Sequence, residues 1–215
     1  MKRYAILFFS VVMIFWGCEE KMIRIIELGG QLESEEEQFI EEQPIEEVLT
    51  IEKIVDLANK GTLDSALSKA AIERDTTWTP EGINHAKVIW LNKGEKDEVQ
   101  INFKPNDSTK VFRVTVKGRE NKLRSLTGVR TGLSIDQVNS LNRKPVDFYG
   151  FNWDFGGMAI FNDGALEESH LYIYFKTDKK VAKHFIGDTP HSFEATKKAK
   201  RDLYVNKIID RKNLV

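Results

Sequence analysis

Hydrophobic and polar positions after residue 48 alternate between two periods. From Thr50 the spacing is helical, with Ile51, Ile54, Val55 and Ala58 on one face, Thr50 placed to cap the start and Gly61 to close the end. Thr62 opens a second helical stretch, with Leu63, Ala66, Leu67 and Ala70 on a stripe. The period then drops to two, and strands are predicted at 87–91, 98–103 and 111–117. Val99, Ile101 and Phe103 alternate with polar neighbours, and so do Phe112, Val114 and Val116. Turn residues separate these runs at Asn92-Lys93-Gly94 and Pro105-Asn106-Asp107.

The same order, helix and then strands, returns after Gly128. Ser134 and Gln137 have capping-box spacing, and Leu133 and Val138 are placed for a hydrophobic staple. Ile135, Val138 and Leu141 make the apolar face of a helix that Pro145 obliges to end by Lys144. A strand over 148–155 then puts Tyr149, Phe151, Trp153 and Phe155 on one face. Gly156-Gly157 interrupts it, 158–161 resumes it, and Asn162-Asp163-Gly164 turns into the next strand. There Leu171, Ile173 and Phe175 point one way. A basic turn over 177–183, a helix or ordered loop over 192–201 and a last strand over 203–209 complete the pattern. The fold predicted is α+β: an antiparallel sheet with helices packed on one face, built from two diverged helix-then-strands halves at 49–127 and 128–215.

The stretch ahead of this domain reads differently. Lys2 and Arg3 precede an apolar run over 5–16, which is too short to span a bilayer and ends at Gly17-Cys18. Cys18 is the only cysteine, so no disulfide framework exists. Its position points to a lipoprotein signal over 1–17, cleaved after Gly17, with lipid on Cys18 as the membrane anchor. Residues 18–48 are acid-rich and read as an extended tether. Glu19-Glu20 at its start suits either a plain solvated tether or an export tag, and 22–28 is apolar enough to dock on the domain. The chain as a whole is near neutral (net charge −1) with 30% charged residues, which gives no overall basic field for nucleic acid.

Two segments resemble known families. Gly132-Leu133-Ser134, Val138, Leu141 and Pro145 are similar to the helix-to-strand signature of the outer-membrane-assembly lipoprotein BamE and of β-lactamase-inhibitor-protein-like repeats. The longer run adds Asn142, Lys144, Tyr149-Gly150-Phe151 and Trp153-Asp154-Phe155-Gly156-Gly157. It resembles a group of uncharacterised bacterial envelope lipoproteins, which often have Gly where Arg143 stands. The resemblance implies an envelope location and brings no catalytic residues.

The candidate chemistry is sparse. No zinc spacing, nucleophile elbow, phosphate loop or calcium loop is present, and no cofactor motif is found. His85, His170, His184 and His191 are scattered, and Ser134 is a cap rather than a nucleophile. Tyr149, Phe151, Trp153 and Phe155 read as core, because four large rings exposed together make an unusually large apolar patch; the alternative is a stacking platform that includes Tyr149 and Trp153. Asp154 then points to solvent. Lys197, Lys198, Lys200 and Arg201, with Lys176, Lys179, Lys180 and Lys183, suit a solvated face or a patch for anionic headgroups and glycans. The expectation is a non-enzymatic, lipid-anchored module that binds an envelope protein or glycan through an open sheet face. A hydrolase or glycan-processing enzyme using Asp154 and His170, and an outer-membrane assembly factor, are the alternatives.

Overall fold

Helix α1 (Ile51–Lys60) begins where Thr50 accepts a hydrogen bond from the Lys53 amide at 3.2 Å, and ends where Gly61 turns left-handed at φ 69°. Its buried residues are Ile51, Ile54, Val55 and Ala58, the face expected from the spacing. The computed structural model describes residues 48–78, 82, 84–198 and 202–211. The signal, Cys18, the tether up to residue 47, Lys200 and Arg201 lie outside the described residues.

The second helix, α2 (Leu63–Ala66), is a single turn rather than the longer stripe expected. Thr62 does not cap it, because its hydroxyl and amide both donate to the Leu57 carbonyl and close α1. Leu63 alone of that stripe is fully buried.

Strands β1 (Ile72–Trp78), β2 (His85–Leu91), β3 (Val99–Lys104) and β4 (Asp107–Lys117) form an antiparallel meander. Helix α3 (Ile135–Asn142) follows, then β5 (Asp147–Tyr149), β6 (Ala159–Ile160), β7 (Leu171–Lys176), β8 (Pro190–His191), α4 (Phe193–Lys198) and β9 (Tyr204–Asp210). The large sheet runs β1-β2-β3-β4-β9-β7, and a small one runs β6-β5-β8, all antiparallel. The fold is thus α+β, and the two halves divided at residue 127 share one sheet, since β9 sits between β4 and β7. They also share one core: Ile54, Ile101, Val114, Val138, Phe148, Ile173 and Ile208 belong to a single cluster.

Two bulges shift the expected alternation. Phe103 pairs with Val111 while Asn102 pairs with Arg113, which leaves Phe112 extra; Val111 and Val114 therefore face the core and Phe112 does not. Phe175 pairs with Val205 while Tyr174 pairs with Lys207, so Val205 and Ile208, three residues apart, share the inner face of β9.

The Ser134–Gln137 capping box is present on both sides: Gln137 N–H donates to Ser134 Oγ at 3.2 Å, and Ser134 N–H donates to Gln137 Oε1 at 2.9 Å. Arg143 closes α3 in the left-handed region at φ 59°. Asn142, fully buried, explains why the helix is followed by this particular corner. Its amide donates to the carbonyls of Phe161 (2.8 Å) and Lys144 (3.1 Å), and its oxygen accepts from Leu166 N–H (3.1 Å). The Asn162-Asp163-Gly164 turn packs against this side chain, and only a residue without a β-carbon fits at Gly164.

The aromatic strand expected over 148–155 is the main correction. Pairing stops at Tyr149, because Gly150 is pressed against the carbonyls of Phe185 and Gly187 and Asn152 turns left-handed at φ 68°. The phase also differs. Phe148, placed on the outer face by the alternation, is fully buried among Phe151, Phe175, Phe185 and His191, while Trp153 and Phe155 are exposed.

Candidate functional site

Residues 150–158 and 185–189 form two loops bonded to each other. Phe151 N–H donates to the Phe185 carbonyl at 2.7 Å, Gly187 N–H to the Phe151 carbonyl at 3.0 Å, and Gly150 N–H to the Thr189 carbonyl at 3.1 Å. Two tight turns follow, closed by Gly156 N–H to Trp153 O and Met158 N–H to Phe155 O. The far end is fixed to β7 through Phe175 N–H and the Gly157 carbonyl at 2.8 Å. These bonds display apolar side chains outward: Trp153 is 65% exposed, Phe155 48% and Ile186 42%. Tyr149, half-buried, lies with its ring centroid 5.1 Å from that of Phe155 and props it. Asp188 accepts from Phe155 N–H, and Asp154 stands exposed on the same turn. Trp153 and Asp154 therefore sit on this loop pair with Tyr149 beside them at the end of β5, and Phe155 and Ile186, not among the residues expected to bind, join them.

The basic residues near the end of the chain are divided. Lys197 is exposed on α4, pairs with Glu194 at 3.5 Å and lies over the Phe193 ring, and Lys198 is exposed beside it. Lys179 pairs with Asp202 at 2.7 Å. Asp154 and His170 are not brought together. The loop bearing Asp154 meets β7 at Phe175, while His170 precedes the other end of that strand, about 16 Å away at ~3.3 Å per residue. Both are exposed.

A cleft of about 810 Å³ lies beside α1, floored by Leu49, Ile54, Leu67 and Leu91 and rimmed by charges that include the Lys96–Glu120 pair. His191, packed 4.8 Å from Phe185 and 5.8 Å from Phe148, has its pKa pushed down by burial and, secondarily, by His184. Among the described residues no helix is long and apolar enough to cross a membrane.

No protein-family model matches the chain, and no curated protein does. Among solved structures, the uncharacterised protein YfeY of Escherichia coli is similar over 69% of this chain and 88% of its own, at 16% identity and a TM-score of 0.39. That likeness is too distant to bring a function with it.

Proposed function

We propose that this chain is a lipid-anchored protein of the bacterial envelope that works by binding rather than catalysis, and that it holds a protein or glycan partner through the Trp153–Phe155 surface. The anchor rests on the sequence alone: a basic start, a short apolar run, and Cys18 ahead of an acid-rich tether. The observation that carries the binding role is the exposure of Trp153 and Phe155 on loops braced by backbone hydrogen bonds. Large rings left in water forgo a few kcal/mol each of burial. Rings held rigidly lose little entropy when a partner covers them, which is why such residues dominate contact energies.

The test is capture from detergent-solubilised envelope with the full chain, wild type against Trp153→Ala/Phe155→Ala. A partner retained by the wild type and released by the double variant is expected. A partner held equally by both excludes this surface, and the absence of any protein or glycan partner counts against a binding role. Labelling with a fatty-acid analogue, expected in wild type and absent in Cys18→Ala, checks the anchor separately.

A further inference from the structure

The helices and the small sheet supply one core cluster on one face of the large sheet. The other face is organised independently. Antiparallel pairing sets Trp90, Gln100, Thr115, Ile209 and Tyr172 in a row across five strands. The row on one side holds Lys117, Lys207 and Tyr174, and the row on the other holds Asn102 and Arg113. Arg211, two residues past Ile209, lies with its guanidinium carbon 5.0 Å from the Tyr172 ring centroid, and Lys207 Nζ lies 3.6 Å from that of Tyr174.

Arg113, Lys117, Lys207 and Arg211 thus share one surface, and among the described residues none has a carboxylate in ion-pair range. The acids of this face are distant or engaged: Glu73 and Asp75 are on β1 at the far edge, Glu73 pairs with Lys93 at 3.2 Å, and Glu98, one residue before the Val99–Val116 pair and so beside Lys117, accepts from Gly94 N–H at 2.8 Å. The cations feel one another. Burial pushes the Lys207 pKa down, and Lys117, Arg113 and Arg211 push it further; burial and Arg211 do the same to Arg113. Asn102 Oδ1 and the Nε atoms of Arg113 and Arg211 are buried without a hydrogen-bond partner. Half-buried like charges beside unsatisfied polar atoms are unfavourable in the free protein, and an anion relieves both costs.

We propose that this face binds an anionic polysaccharide, with its carboxylates on these four cations. The charges spread over strands spaced ~4.8 Å apart rather than converging on a point, which suits a polymer more than a small anion. Lys207 and Arg211 lie against tyrosine rings and Arg113 is half-buried, so a flat bilayer reaches three of the four poorly; Lys117 alone is exposed. An acidic peptide adds to a sheet at its edge, where backbone groups are free, and the cations are not there. On either side of them lie half-buried Gln100 on β3 and the half-buried Tyr172 ring on β7, a neutral hydrogen-bonding group and an apolar plane that match sugar hydroxyls and ring faces.

The full chain is titrated calorimetrically with oligogalacturonate, with neutral dextran, polyglutamate and phosphatidylglycerol vesicles as comparisons. Binding of oligogalacturonate alone is expected, weakened by salt and by about tenfold or more in Lys207→Gln/Arg211→Gln. Those substitutions remove repulsion, so the melting temperature holds or rises; Arg113→Gln is a second variant of the same kind. Trp153→Ala leaves this binding unchanged, which separates it from the aromatic surface. No binding, or binding undiminished in the charge variants, overturns the proposal. Equal binding of polyglutamate or of vesicles replaces the glycan by an acidic peptide or a membrane and overturns it as well.

Discussion

Arg143 and His191 are each held in a state their side chains do not favour. Arg143 ends α3 with φ at 59°, a conformation that costs a residue with a β-carbon roughly 1 kcal/mol. Its side chain is exposed, so nothing in the packing offsets that cost. Arg143→Gly should therefore raise stability by about 0.5–1 kcal/mol, the gain reduced by the freer unfolded chain. Urea unfolding with an unchanged slope and a higher midpoint checks it. Burial and, secondarily, His184 push the folded pKa of His191 below the ordinary 6.5. The unfolded chain therefore binds the proton first as pH falls. The stability it contributes is full above 6.5 and declines as pH drops from there toward the folded value. His191→Phe, which keeps a ring beside Phe148 and Phe185, should flatten the fall in denaturant midpoint over that window. An equal fall in the variant rules His191 out as the source.

Among the elements, local signals were the legible ones. The Ser134–Gln137 box and the Thr50 cap join residues three apart, so they depend on nothing distant, and both are present. Ser134→Ala should lower stability by about 1 kcal/mol in thermal unfolding, with the α3 face otherwise intact. The single turn of α2 was not legible, since whether Thr62 caps forward or bonds back to Leu57 depends on how α1 ends. β1 carried no alternation to read, because it is an edge strand largely exposed along its length. The aromatic run after Phe148 misled for a different reason. Its alternation is genuine, but the glycines and Asn152 turn the backbone before the pattern can act, so Phe151 is core as expected, Tyr149 is half-buried, and Trp153 and Phe155 became surface.

At the scale of the molecule, neither of the two surfaces proposed to bind was written in any one segment. The Trp153 loop takes its position from residues 185–189, and the basic face gathers residues 113, 117, 207 and 211 only through the registers of β9 with β4 and β7. Charge runs in the sequence drew attention to Lys197 and Lys198 instead, one of which is already paired. The sheet itself depends on β9, whose Val205 and Ile208 are completely buried and which alone joins β4 to β7. A chain stopped after Asp202 should lose its cooperative thermal transition. Retention of a sharp melt would mean that the meander of β1–β4 stands without it.

The central seat of β9 also sets an order of events in time. A polypeptide leaving a ribosome, or threading an export channel amino end first, delivers every other strand before the one that joins them. Until residues 204–210 emerge, β7 has no neighbour in the large sheet and the meander ends in an open edge. The large sheet therefore closes only after the last strand has been made, and any step that acts on the chain during synthesis meets it unfinished.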